Sequence, residues 1–252
     1  MRLILKSLLI SVFAFQMLFA DDLQEKFNAG NQYYQNGQYE QAITQYISIY
    51  EAGFESGELY FNLGNAYYKL GQPGMAHLNY QRAKRFLKND DALDTNISLL
   101  KQMLVDKIPV PPRFFLSSWW DSLINFVNMA LLTWITVLLL ATMLLFFALR
   151  RHAIKRGRPG QYRAVFITSV ALFVLSSLIY TQKIYKLETE QFGIILKPSA
   201  TIYAEPNASG TEVFVLHEGT KVEISRFIDA WFEIKLEDGK TGWLAKDNLE
   251  II

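Results

Sequence analysis

Phe61-Asn62-Leu63-Gly64-Asn65-Ala66-Tyr67-Tyr68-Lys69-Leu70-Gly71-Gln72 is the stretch that decides the fold, because Phe27-Asn28-Ala29-Gly30-Asn31-Gln32-Tyr33-Tyr34-Gln35-Asn36-Gly37-Gln38 has already stated it 34 positions earlier. Phe, Asn, Gly, Asn, Tyr, Tyr, Gly and Gln recur in register, and the echo continues into Ala42/Ala76 and Tyr46/Tyr80. A repeat of this length fits one helix-turn-helix unit. Gly30/Gly64 and Ala42/Ala76 are small enough for two helices to approach, Tyr33/Tyr67 and Tyr46/Tyr80 fill the space between them, and Gly37-Gln38 and Gly71-Gln72 make the turns.

These spacings resemble the tetratricopeptide family, whose members bind other proteins. In that register repeat one runs Leu23 to Ser56 and repeat two Gly57 to Asp90. Asn89-Asp90-Asp91 then offers a helix start. Asp91 to Asp106 continues with Leu93, Ile97, Leu100 and Leu104 at helical spacing, a capping helix for the open face of repeat two. The module as a whole is expected over 21–107. The first helix of each repeat carries the candidate protein-binding groove: Asn28, Asn31, Tyr34, Asn62, Asn65, Tyr68 and Lys69. A side-chain amide there can pair with the backbone of an extended peptide, or it can bridge neighbouring helices. Phe27, Thr95 and Leu99 stand where a carboxylate clamp would carry its cations.

The rest of the chain divides by hydropathy and charge. Residues 1–20 hold Arg2 and Lys6, an uncharged apolar run from Ser7 to Phe19, and Ala20 before Asp21-Asp22, the pattern of a signal peptide. Between Asp121 and Arg150 lie 28 residues without a formal charge, and between Arg163 and Lys183 another 19. Each is long enough to cross a bilayer, and spans are expected at 129–149 and 164–180. The segment between them, 150–163, has six basic residues (Arg150, Arg151, Lys155, Arg156, Arg158, Arg163) and no acidic one. The positive-inside rule places that loop in the cytoplasm and both flanking modules outside it. Neither span contains Asp, Glu, Lys, Arg or His, which argues for anchoring and against transport. Upstream, 108–128 opens with the stiff Ile108-Pro109-Val110-Pro111-Pro112. Its Ser117 to Asn128 portion reads either as a short helix on the outer leaflet or as the first turns of the span.

From 192 onward short β-rich runs alternate with turn residues: 193–196, 201–203, 212–216, 221–224, 231–236 and 241–244. Gly219-Thr220-Lys221-Val222-Glu223-Ile224, then Trp231-Phe232-Glu233-Ile234, then Asp238-Gly239-Lys240-Thr241-Gly242-Trp243-Leu244 resembles the bacterial SH3 domain, which implies a small all-β barrel over 192–252. Tyr203, Trp231 and Trp243 are its candidate groove, with Trp243 also a candidate for the barrel core. Thr201-Ile202-Tyr203-Ala204-Glu205-Pro206 lacks the Arg-Ser-Gly of that family's opening motif, which weakens any expectation of cell-wall peptide recognition.

The sequence has no cysteine, hence no disulfide and no thiolate site. His77, His152 and His217 fall in three separate segments, so no metal site is expected. Nor is there a P-loop, a Gly-x-Ser-x-Gly elbow or a His-Glu-x-x-His. The expectation is a non-enzyme without cofactor. Asn96-Ile97-Ser98 and Asn207-Ala208-Ser209 match the short glycosylation pattern. In their order, signal segment, two repeats with a cap, paired spans and SH3 domain resemble the E component of the Bacteroides aerotolerance (Bat) operon. That resemblance implies a complex in the cytoplasmic membrane with von Willebrand A-domain Bat proteins, linked to a MoxR-type ATPase, and a role in envelope or oxidative stress tolerance. Peptidoglycan binding is the alternative.

Overall fold

The computed structural model describes residues 22–109, 112 and 114–252; the signal-peptide expectation lies outside them. Two compact units form. One joins the helical repeats, up to Pro109, with Phe192–Ile252, and the other is Val110–Gln191.

In the first unit α1 (22–35), α2 (Tyr39–Glu51), α3 (Gly57–Lys69) and α4 (Pro73–Phe86) form two helix hairpins, and α5 (Asp91–Met103) follows. Gly37 and Gly71 make the turns within each hairpin at φ 76° and 69°, a left-handed conformation that costs glycine little. Ser56 caps α3 through Leu59 N–H (3.1 Å) and Asp90 caps α5 through Leu93 N–H (2.8 Å), each satisfying an otherwise orphaned donor. The core is laid down by the repeated positions. Tyr46 packs on Gly30 and Tyr80 on Gly64, so close that a Cβ on either glycine would stand 2.5 or 2.4 Å from the facing ring. Phe27 and Phe61 flank the same tyrosines with ring centroids 5.9 and 6.2 Å away. Leu93, Ile97 and Leu100 of α5 complete this core. A direct consequence is that Gly64→Ala destabilises. The gain in helix propensity is about 1 kcal/mol, but the buried Tyr80 ring cannot yield, and thermal unfolding should report a net loss of about 2 kcal/mol.

The helix expected to run to Asp106 stops at Met103. Leu104 turns to an extended conformation (φ −63°, ψ 142°) and packs against Gly219, while Asp106 is held by the β-rich module.

That module is a seven-stranded sheet of β1 (Gln191–Ile195), β2 (Ser199–Tyr203), β3 (Glu212–His217), β4 (Lys221–Ile228), β5 (Trp231–Lys235), β6 (Thr241–Ala245) and β7 (Leu249–Ile251). The strand order is β3-β2-β6-β5-β4-β1-β7, so the expected closed barrel is corrected to an open sheet. β7 has three residues and pairs only with β1, and β3 leaves Val213 and Val215 exposed. So short a strand offers too few backbone groups to close the ladder. Bulges between Ile202 and Tyr203 and between Ile224 and Arg226 bend the sheet, as extra residues in one strand do. It folds around Ile195, Ile202, Val222, Phe232, Ile234 and Leu244, with Ile108 of the helical side packed against the same core.

The second unit holds α6 (Phe115–Phe126), α7 (Met129–Lys155) and α8 (Arg163–Thr189). α7 and α8 are long and apolar enough to cross a membrane, at 27 residues and at 25 for the stretch Arg163–Leu187. They form an antiparallel hairpin. Phe146 and Phe147 of α7 meet Tyr162 and Phe166 near the turn, which Gly157 and Tyr162 make with positive φ. Both helices outrun the spans read from hydropathy. No glycine or proline interrupts Arg150–Lys155 or Thr181–Thr189, and a change of polarity alone does not end a helix. Much of the presumed basic loop is therefore the last turns of α7, where Lys155 complements the helix dipole. α6 is a helix of its own. Val127 breaks it from α7, and Asn128 caps α7 by accepting from Leu131 N–H (2.7 Å).

Candidate functional site

Three features of the first unit bear on function: a hydrogen-bonded ladder across the repeats, a cavity beside it, and the junction with the sheet.

The ladder uses the asparagines of the expected groove. Asn31 Oδ1 accepts from the Tyr46 hydroxyl (2.7 Å) and from Asn62 Nδ2 (2.9 Å). One repeat later Asn65 Oδ1 accepts from the Tyr80 hydroxyl (2.9 Å) and from Asn96 Nδ2 (2.8 Å). Of the two readings open for these amides, their carbonyl oxygens take helix bridging. Burial, with the nearby Tyr34 phenol adding, pushes the Tyr46 hydroxyl up to about 12 and also raises Tyr80, so both remain neutral donors at ordinary pH. Asn96 is a rung that sequence reading missed. It continues the 34-residue series Asn28, Asn62, Asn96, and that period was the signal. Asn28 itself is exposed on α1, where its Oδ1 accepts from Gln24 (3.1 Å).

Beside the second rung lies a cavity of about 270 Å³ lined by Tyr34, Asn65, Tyr68, Lys69, Tyr80, Asn96 and Leu99. Four of the seven groove residues read from sequence (Tyr34, Asn65, Tyr68, Lys69) thus share one wall. Lys69 supplies a cation close to Leu99, a position where the sequence had offered none. Its lining combines three tyrosines and two asparagines with the exposed Lys69 and Leu99.

The junction ties helices to sheet through the turn after β3. Asp106 accepts from His217 N–H (2.7 Å), His217 Nδ1 (2.9 Å) and Thr220 Oγ1 (2.6 Å). Burial raises its carboxyl, but the bonds from Thr220 and His217 outweigh burial and leave it below the usual carboxylate value. His77, 1% exposed on α4, places Nδ1 2.6 Å from the Gly219 carbonyl and Nε2 3.1 Å from Gln81 Nε2. A carbonyl only accepts, so Nδ1 carries the hydrogen and Nε2 accepts from Gln81. Lys221 Nζ donates to Gln81 Oε1 (3.0 Å), which fixes the way that amide faces. Burial, aided by Lys101 and Lys221, lowers His77 to about 4 despite the bond to Gly219. Glu218 accepts from Gly74 N–H at the start of α4 (3.0 Å), and Arg82 donates to Glu250 (2.9 Å). His77 and His217, expected in unrelated segments, therefore meet at one junction. Among the described residues no group of three His, Asp or Glu is placed to hold a metal.

On the sheet, Tyr203, Trp243, Glu233 and Arg226 lie opposite one another across β2, β6, β5 and β4. Tyr203 and Trp231 meet edge to face at 5.7 Å, and the Arg226 guanidinium covers Trp243 at 5.9 Å. Arg226 is itself paired with Glu233. Trp243 is buried but stands outside the inner core cluster. By register it shares the aromatic face of Tyr203 and Trp231, and its burial is in keeping with the packing role also expected of it. The six basic residues gather at the turn end of the α7–α8 hairpin, with Arg150 over the Phe166 ring (5.4 Å) and Arg151 over Phe147 (6.0 Å).

Residues 198–250 match the bacterial SH3 domain family. Helical repeats followed by a bacterial SH3 domain are thus the architecture of the first unit. Among solved structures, the chain is similar to an NlpC/P60 family protein from Bacillus cereus, at 20% identity over 28% of this chain and 23% of that one, TM-score 0.22. It is also similar to YrrB, described as a TPR protein with an unusual peptide-binding site, at 16% identity over 72% of this chain and 88% of that one, TM-score 0.32. The chain spans about a quarter of the NlpC/P60 protein. No curated protein matches it.

Proposed function

We propose that this chain is a non-catalytic scaffold, anchored in the cytoplasmic membrane by α7 and α8, which presents its repeats and SH3 domain outside the cytoplasm to protein partners. The observation that carries this reading is the open cavity walled by Tyr34, Asn65, Tyr68 and Lys69 on a helical module that the SH3 domain braces from another side. The hairpin supports it too. Its antiparallel course brings the chain in and out of the second unit at one end and leaves the basic residues at the other, as the positive-inside rule requires of two exported modules. The Bat resemblance names the expected partners, von Willebrand A-domain membrane proteins with an indirect link to a MoxR-type ATPase.

Copurification from detergent-solubilised membranes tests the reading. Lys69→Ala with Leu99→Ser alters two exposed cavity residues, so stability should change by less than about 1 kcal/mol. The partner proteins should nevertheless be lost from the eluate. Unchanged copurification would remove the cavity from the account.

A second reading, peptidoglycan binding, is favoured by one observation: Tyr203, Trp231 and Trp243 gather on the outer face of the sheet. Sedimentation of the full chain with purified sacculi separates the two. A scaffold remains in the supernatant, and a wall-binding protein pellets and is released by Trp231→Ala.

A further inference from the structure

α6 divides its apolar half between two tasks. Its spacing puts Phe115, Leu116, Trp119, Trp120, Ile124 and Phe126 along one side and Ser117, Ser118 and Ser122 along the other. Trp120 and Ile124 form the part turned inward. Trp120 Nε1 donates to Gln182 Oε1 (3.0 Å), and Ile124 is 1% exposed. Lys183 of α8 donates to the Ile124 carbonyl (2.8 Å) and to that of Val127, covering the carbonyl end of α6, where a cation is favoured. Phe115 (70% exposed), Trp119 (62%) and Phe126 (88%) remain uncovered, beside the half-exposed Leu116.

Where α8 holds α6 identifies what covers this strip. Gln182 and Lys183 end the 19-residue uncharged run of α8, so α6 is tied to the level at which an α8 crossing a bilayer would meet the headgroups. Indole and phenyl rings beside serines match the interfacial zone. We propose that the strip Phe115–Leu116–Trp119–Phe126 docks in the headgroup and upper acyl region of the bilayer, and that Gln182 and Lys183 are the positioning residues that set its depth. This rests on the membrane-anchored reading above.

The cysteine-free sequence allows nitroxide labels at single introduced cysteines in the full chain, reconstituted in phosphatidylethanolamine/phosphatidylglycerol vesicles. Labels at Trp119→Cys and Phe126→Cys should collide several-fold more with oxygen than with a water-soluble nickel complex, at a shallower depth than labels at Leu138→Cys and Leu175→Cys. Labels at Ser118→Cys and Ser122→Cys should favour nickel. Water accessibility at 119 and 126 with 138 and 175 in lipid overturns the docking of α6 alone; water accessibility at all four overturns the anchored reading as well. Protection of 119 and 126 from both reagents means that protein covers the strip, and also overturns the proposal. Lys183→Met should shift the labels at 119 and 126 toward water without moving those at 138 and 175, and an unchanged depth overturns the positioning role.

Discussion

Tyr80→Ala is expected to destabilise the helical module by about 4 kcal/mol, in the range for deleting a buried aromatic ring. The ring fills the space that Gly64 leaves open and packs beside Phe61. Its hydroxyl is one of two donors to Asn65 Oδ1, the atom through which α5 is also held by Asn96. The substitution therefore empties a cavity and weakens the attachment of the capping helix together. Tyr80→Phe keeps the ring and removes only the hydroxyl, and should cost about 1 kcal/mol. Small domains have only some 5–15 kcal/mol in total, so thermal unfolding of the detergent-solubilised protein resolves the two easily. Equal effects of the two substitutions would show that the hydrogen bond, and not the ring, holds the repeat together.

Acid is expected to weaken the junction between helices and sheet well before it protonates the carboxylates. His77 has a folded value of about 4 against 6.5 when unfolded. Between those values the unfolded chain binds a proton that the folded one refuses, so stability falls as pH drops from 6.5 toward 4 and is fully present above 6.5. The shift corresponds to about 3 kcal/mol across that window. The local reason is geometric. A second N–H at Nε2 would face the amide donor of Gln81, which cannot turn round while Lys221 holds its oxygen. Asp106, lowered in the folded state, adds a further loss only at more acid pH, as its hydrogen-bonded carboxylate takes up a proton. Unfolding temperatures measured from pH 8 to 4 should decline below 6.5 in the native protein. In His77→Gln the slope should flatten.

The helical repeats were legible because their packing is local and reiterated. Gly64 against Tyr80 and the left-handed Gly71 are each announced by a partner 34 residues away. Asn96 obeys the same period, but it lies in the capping helix beyond the second repeat. The junction was beyond sequence reading. His77 meets Gly219 across 142 positions and Asp106 meets His217 across 111, and neither pair has a spacing rule. β7 is three residues after a 3₁₀ turn, too short to alternate. The ends of α7 and α8 lie beyond what hydropathy marks, for a different reason. Hydropathy marks where lipid contact would stop, whereas the backbone continues until something such as Gly157 turns it. In the sheet, the position of Trp243 on the aromatic face follows from its register opposite Tyr203 and Glu233, which a list of strands does not contain.

The central claim is that two apolar helices anchor repeats and SH3 domain on one side of the cytoplasmic membrane, with the basic turn on the other. Labelling of single cysteines with a membrane-impermeant maleimide tests it most directly, using Gln24→Cys, Arg158→Cys and Lys240→Cys, all at exposed positions. In spheroplasts the account predicts rapid labelling at 24 and 240, and labelling at 158 only after lysis. Labelling at 158 in intact spheroplasts, with 24 and 240 protected until lysis, would contradict it.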